Sequence, residues 1–462
     1  MRLPLLLAAA LLLAGAPGTP AREWRVPAAT GVIGVEAAQL DPEYWVARLP
    51  SPDRVVLDAQ AVAAQNARLA TLDRSIHDLD ALPATLRRAQ VAQWVARLSS
   101  RPTRPLFGAD GGPLARATLD AVVANAALER VADRPTRYGL VVHRAALRSF
   151  PTALRVFSAP DDRDIDRFQE SALFPGDPVA IAHESLDGQW WFVVSPRYAA
   201  WIEKRFVALG PKDAVLGYAR KAPYRVVTGA RVHTVHTPEE PRVSELQLDM
   251  GVRVPVRADW PVSEPVNGQH GYTSHVIELP VRNDDGSLAF APALLPRIAP
   301  STAGYLPLTQ ANLIRQAFRF LGERYGWGHD YNGRDCSGFV SEVYRSMGVE
   351  LPRNTGDQAV SPAFNRIALT GGDSRERRMA LLRELQPGDL VYIPGHVVMV
   401  IGQVDGEPYV IHDTAGLNWR DAGGGLQRAK TNGVSVSPLT PLMVDATQSY
   451  VDRITSIQRI RP

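Results

Sequence analysis

Three side chains in the last third of the chain have the types and spacing for nucleophilic chemistry: Cys336, His396 and His412. Cys336 is the one cysteine among 462 residues. It stands in Asp335-Cys336-Ser337-Gly338-Phe339, where a loop rich in Gly, Asp and Asn runs into a stretch with helical spacing. A thiol at a helix start feels the positive end of the helix, which favours thiolate. The same helix end offers backbone N–H groups to a developing oxyanion. A Cys nucleophile needs a base, and imidazole is the usual one. His396 opens the apolar run Val397-Val398-Met399-Val400, where a strand would hold it firmly. His412 closes Tyr409-Val410-Ile411, one strand later, and is placed to orient the His396 ring. The residue types alone leave a plainer reading open. A lone Cys is commonly a small buried core residue, and each His could be a satisfied core or strand-end group.

The elements that must carry these groups can be read around them. Leu313, Ile314, Ala317, Phe318, Phe320 and Leu321 fit an amphipathic helix over 312–325. A second helix is expected over 337–347, with Phe339, Val340 and Val343 on one side. Strands are expected at 390–393, 396–401, 409–412 and 454–460. Upstream the texture differs. Residues 22–145 read as a largely helical N-terminal domain with apolar-periodic stretches at 42–49, 55–72, 86–98 and 119–131. From about residue 150, short runs rich in Val, Tyr, Trp and Phe alternate with Gly, Pro and Asp turns. The texture recurs after residue 216, so two small β-barrels in tandem are expected, at 146–215 and 216–303. The fold class is thus multidomain α+β, ending in a unit at 304–462.

Composition sets bounds on function. A net charge of +3, with 45% hydrophobic and 21% charged residues, is that of an ordinary globular chain. It lacks the concentrated basic stretches of a nucleic-acid binder. One Cys can form neither an internal disulfide nor a multi-Cys zinc site. Arg2, the apolar run 5–14 and the small residues 15–21 read as a secretory signal at 1–21. The run falls well short of the roughly 20 apolar residues of a spanning helix. The expectation is an exported protein of the periplasm or cell envelope, with no membrane span after cleavage. Oligomeric state is not legible.

Taken together, Tyr325-Gly326-Trp327-Gly328, Asp335-Cys336-Ser337-Gly338-Phe339, Leu351-Pro352-Arg353, Leu385-Gln386-Pro387-Gly388-Asp389-Leu390 and Gly395-His396-Val397 resemble the NlpC/p60 cysteine peptidases of bacterial cell walls. The resemblance covers roughly residues 310–415. The repeats ahead of it, with Trp190, Trp191, Tyr198 and Trp201, resemble bacterial SH3-like domains. The resemblance implies a reduced papain-like α+β fold, Cys336 as nucleophile, His396 as base, His412 as the polar third residue, and a Tyr325 hydroxyl near the oxyanion. It implies that Asp335, Ser337 and Trp327 line the substrate groove, and that no metal or other cofactor is needed. The implied substrate is peptidoglycan or its murein peptides, cut between γ-D-glutamate and a diamino acid. Related enzymes that prefer a free N-terminal L-Ala often carry Arg-Asp-Ser after the Leu-Pro step. Here Arg353-Asn354-Thr355 stands there, and Asn354 brings no negative charge. Asp330, Asp335 or the barrel residue Glu184 is then the candidate acid, with Tyr198 a candidate barrel contact. A cell-wall peptide-binding protein without hydrolysis, or a thioester-forming acyltransferase or amidase, are the alternatives such a site leaves open.

Overall fold

Alternating apolar residues in the C-terminal third build a six-stranded antiparallel sheet. This is a computed structural model, and it describes residues 24–461; the expected signal at 1–21 lies outside the described residues. The strand order is Asn365–Ala368, Ser456–Arg459, Leu390–Ile393, His396–Val404, Glu407–Thr414 and Gly433–Pro438. Period-two alternation divides the side chains between two faces. Leu390, Tyr392, Val397, Met399, Tyr409 and Ile411 pack toward the helices Gln310–Phe318 and Cys336–Arg345. Val391, Val398, Val400 and Val410 face the opposite layer, with Leu382 and Tyr450. His396 pairs with Ile393, and His412 lies two residues beyond Val410, so both imidazoles belong to this second face. The register of these two interior strands therefore sets which way the rings point.

Ahead of this unit lies a seven-stranded antiparallel sheet. Its order is Val207–Gly210, Arg137–Val141, Pro178–Glu184, Trp190–Val194, Ala199–Glu203, Ala145–Arg148 and Gln169–Leu173. The two end strands do not pair with each other, so the sheet is not a closed barrel. It also begins at Arg137, inside the stretch expected to be helical. The second β region is more broken. It holds a three-stranded sheet (Arg253–Pro255, Tyr224–Val227, Ser301–Ala303) and two hairpins, Arg231–His233 with Gln247–Asp249 and Ser274–Arg282 with Leu288–Pro296. Its core gathers Val227, Leu248, Val254, Ile277, Leu279 and Leu295. The expected pair of barrels is thus one open sheet followed by an assembly of smaller ones. Alternating hydrophobicity specifies strands, but closure depends on pairing between distant strands, which the local pattern does not encode.

The N-terminal helices do not make a core of their own. Trp45, Val46, Val62 and Leu69 belong to the core of the C-terminal unit. Val91 and Val95 of the helix Arg88–Leu98 pack with Trp190, Phe192 and Trp201 of the seven-stranded sheet. Gln65 Nε2 donates to Ala363 O at 2.8 Å, and Tyr409 Oη donates to Gly34 O at 2.6 Å. Burying a large apolar side chain contributes on the order of 1.5–3 kcal/mol, so these few residues fasten the N-terminal segment to the last unit. No helix among the described residues is long and apolar enough to cross a membrane.

Candidate active site

Cys336 is the first residue of the helix Cys336–Arg345, and Asp335 is its cap. Asp335 Oδ1 accepts from Gly338 N–H at 2.8 Å and Oδ2 from Gly328 N–H at 3.0 Å. A capping carboxylate satisfies helix-end donors and complements the helix dipole. Arg353 then clamps it from behind, donating to Oδ2 at 2.8 Å and Oδ1 at 3.2 Å. The same guanidinium reaches Ser337 Oγ at 2.9 Å, His329 Nδ1 at 3.1 Å and Ser171 Oγ of the seven-stranded sheet at 2.6 Å. Burial works to raise the Asp335 pKa, but Arg353, His329 and the Gly338 N–H outweigh it and hold the acid at about 2. His329 is kept neutral by burial and by Arg353. Its Nδ1 accepts from Arg353, so Nε2 donates to Glu342 Oε1, 3.0 Å away. A Cβ on Gly338 would fall 2.5 Å from His329 Cε1, so only glycine fits that turn of the helix.

One residue earlier, Arg334 is fully buried and carries a second network. It donates to Glu342 Oε2 at 2.7 Å, Glu323 Oε1 at 2.7 Å and Asp249 Oδ1 at 2.8 Å. Asp249 comes from the second β region, so the approach to the nucleophile is pinned across a domain boundary. Sequence reasoning passed over Arg334, Glu342 and His329. No local periodicity marks them, since Arg334 and His329 lie ahead of the helix that carries Glu342.

The thiol accepts from the Val397 N–H and lies 3.5 Å from Thr355 Oγ1. That puts Sγ against the residue following His396. Burial and the nearby Asp335 charge push the Cys336 pKa up to about 11, against the lowering contacts of Thr355 and the Val397 N–H. Burial likewise lowers His396 to about 4. Thiol and imidazole are therefore both neutral at rest, where helix position alone would favour a thiolate. His396 Nε2 lies 2.7 Å from His412 Nδ1, and His412 Nε2 lies 3.2 Å from Ser437 Oγ. His412 is fully buried and held neutral, by burial first and then by His396.

The remaining sequence candidates fall in distinct places. Tyr325 is buried, its phenol kept protonated by burial and by the neighbouring Cys336 and Asp335. Trp327 is part-exposed and donates Nε1–H to Gln169 O at 3.0 Å, bridging to the seven-stranded sheet. Asn354 is exposed and turned to Asp357 Oδ2 at 3.0 Å, while Thr355 reaches the thiol. Asp335, Ser337 and Arg353 are buried and bonded to one another. Asp330 is committed to an ion pair with Arg155. Glu184 is not brought to the site. It ends the strand Pro178–Glu184 and pairs with Lys204 Nζ at 3.0 Å and Trp191 Nε1 at 3.2 Å within its own sheet. The acid at the boundary is Glu170 instead, which accepts from Tyr198 Oη at 2.5 Å and is felt electrostatically by Arg353. Burial raises its pKa. Its position beside Gln169, the residue that holds Trp327 and Gly328, places it at the rim of the nucleophile loop.

Comparison with known proteins agrees with this architecture. Residues 155–203 match the SH3 domain (SH3b1 type) model. Residues 322–444, which hold Cys336, His396 and His412, match the NlpC/P60 family model. The C-terminal unit is an NlpC/P60 domain. Among curated relatives, this chain is 35% identical over 98 residues to a probable endopeptidase p60 of Listeria welshimeri, covering 20% of this chain and 16% of that one. It is 27% identical over 192 residues to a gamma-D-glutamyl-L-lysine dipeptidyl-peptidase of Bacillus cereus (strain ATCC 10987 / NRS 248), covering 39% of this chain and 47% of that one. The matched segments thus span less than half of these two relatives. In overall fold the chain is similar to a solved NlpC/P60 endopeptidase from Photobacterium damselae subsp. piscicida, with a TM-score of 0.72 at 17% identity, covering 90% of this chain and 96% of that one. At that identity the likeness shows the fold, which is shared over most of both chains.

Proposed function

We propose that the chain hydrolyses peptidoglycan stem peptides at the γ-D-glutamyl–diamino acid bond through a Cys336 thioester. The observation that carries this is the alignment of a helix-capped thiol, held by the Val397 N–H, with the 2.7 Å contact between His396 and His412. The relative named for a gamma-D-glutamyl-L-lysine dipeptidyl-peptidase activity supports the choice of bond. In this mechanism His396 takes the thiol proton as Sγ attacks the amide carbonyl. The Cys336 N–H and the Tyr325 hydroxyl stabilise the oxyanion. His396 then protonates the leaving amine, and water, activated by the same ring, releases the acyl group. The buried, neutral resting pair fits a proton transfer concerted with attack. Charge then forms only where substrate has displaced water.

Glu170 with Tyr198 supports a preference for peptides with a free amino end. There the Glu170 carboxylate would supply the negative charge that Asn354 lacks, and a substrate ammonium beside it would favour the ionised form of the raised Glu170 carboxyl. The test is mass spectrometry of digests of L-Ala-γ-D-Glu-meso-diaminopimelate, its N-acetylated form and intact sacculi. Cleavage of the free tripeptide, lost in Cys336→Ala, is expected. Glu170→Gln is expected to erase most of the discrimination against the acetylated peptide. Full cleavage by Cys336→Ala would end the thioester reading. Equal cleavage of sacculi and the acetylated peptide by the unmodified enzyme would instead mean an open-groove wall hydrolase.

A further inference from the structure

His396 can act as base on one condition: the ring nitrogen facing the thiol must carry a lone pair. Its Nε2 is turned to His412 Nδ1 at 2.7 Å. Two neutral imidazoles in such contact share one proton, so one nitrogen donates and the other accepts. If Nε2 of His396 holds the proton, its Nδ1 is free to take the thiol proton. If His412 Nδ1 holds it, His396 must carry its own proton on Nδ1 and cannot be a base. The pair does not choose between these registers by itself. The choice passes to the far nitrogen of His412.

That nitrogen, His412 Nε2, lies 3.2 Å from Ser437 Oγ. Ser437 is fully buried in the strand Gly433–Pro438 and pairs in register with Val410. Cross-strand partners point to the same face, and His412 lies two residues along from Val410. The rings of His396 and His412 and the Ser437 hydroxyl therefore form a row on one face of the sheet.

We infer that Ser437 is a positioning residue: a base at His396 requires His412 to donate from Nε2, and the Ser437 hydroxyl, able to donate or accept, is the group placed to receive that proton's bond and hold the register. Each ring then carries its proton on Nε2, and each Nδ1 is an acceptor. When His396 takes the thiol proton, its Nε2–H still donates to His412 Nδ1, so the imidazolium is stabilised with no proton crossing to His412. No proton is gained or lost along the row. This rests on the reading of Cys336 and His396 as nucleophile and base, but its primary readout does not require activity.

The experiment is nitrogen-15 NMR of histidine-labelled protein, read at His396 and His412 in the full chain. Both rings are expected as the Nε2–H tautomer in the unsubstituted protein. In Ser437→Ala the His412 signal is expected to shift toward the Nδ1–H tautomer, with His396 following. Turnover should fall about 10- to 100-fold with little change in KM, as expected when a base is held in the wrong tautomer. Ser437→Thr, which keeps the hydroxyl, should restore both tautomer and turnover to within a few-fold. Finding His412 as Nδ1–H in the unsubstituted protein overturns the inference. So does a Ser437→Ala protein with unchanged tautomers. A chain with the expected tautomers but no peptidase activity would sink the hydrolase reading and leave the register intact.

Discussion

Replacing Arg353 by Met keeps the side chain's length while removing the charge that holds the nucleophile's cap. Arg353 is buried, and its guanidinium makes two of its bonds to Asp335 and one each to Ser337, His329 and Ser171. The loss would strand the Asp335 carboxylate in an enclosed site. Breaking a buried ion pair by removing one partner costs on the order of 3–5 kcal/mol. The pH dependence gives a second handle. In the intact protein Asp335 titrates at about 2 against an ordinary 3.8. At about 1.4 kcal/mol per pKa unit, that depression contributes about 2 kcal/mol of stability. A depressed carboxylate gives this stability fully above its unfolded pKa and loses it as pH falls through the folded value. In Arg353→Met, burial no longer has Arg353 against it, and the Asp335 pKa rises above its ordinary value. The variant's deficit should then be largest at pH 7 and above, and should shrink toward pH 4.5 as Asp335 takes up a proton. Thermal and urea unfolding at pH 7.5 and pH 4.5 measure this. The double variant Asp335→Asn/Arg353→Met should regain at least half of the loss at pH 7.5. A deficit below about 1 kcal/mol, or one independent of pH, or no recovery in the double variant, would refute the clamp.

Three further outcomes follow from the same geometry. With His396 lowered to about 4 and Cys336 raised to about 11, kcat/KM should show a plateau from about pH 5 to pH 10, and iodoacetamide should label the resting thiol slowly at pH 7. A narrow bell with fast labelling would mean a resting thiolate–imidazolium pair. Asp413 is fully buried, neither of its carboxylate oxygens has a hydrogen-bond partner, and burial with Asp335 and Glu323 raises it to about 9. The folded state thus holds a proton that the unfolded state releases, so stability should fall as pH rises from about 4 to 9, by up to about 1.4 kcal/mol per unit. Asp413→Asn should match the parent near pH 4 and exceed it in thermal stability at pH 8.5; equal stability at both would reject a buried neutral acid. Asp249→Ala removes one partner of the buried Arg334 from outside the NlpC/P60 domain. Stability and turnover should both drop, and unchanged turnover would show that the second β region does not help to seat the nucleophile.

Much of the C-terminal unit was legible because its signals are local. The continuous apolar runs at 390–393 and 409–411 lie within the strands Leu390–Ile393 and Glu407–Thr414, and the apolar spacing after Cys336 marks the helix Cys336–Arg345. The order of Cys336, His396 and His412 in the chain also carried their convergence, because consecutive antiparallel strands put both rings at neighbouring positions on one face. What stayed hidden depends on contacts between distant segments. The sequence offers Asp330, Asp335 and Glu184 as candidate acids and does not single out Glu170, whose place beside the nucleophile loop is decided by which edge of an open sheet meets that loop. The thiolate expected at a helix start was overruled by burial, which one element's sequence cannot report. Asp249 and Arg334 lie 85 residues apart, and no periodicity links them.

The N-terminal segment fastens to a unit that the ribosome makes much later. Gln65 meets Ala363 across 298 residues of chain, and Val55 pairs with Thr309. At about 5–20 residues per second, roughly 15–60 s of synthesis separates the two ends of that contact. Through that interval Val62 and Leu69 have no core to enter, because the residues they pack against do not yet exist. The helix Ala59–Leu72 can settle only once that later core has been made, whereas the helix Arg88–Leu98 finds its partners in the nearer sheet.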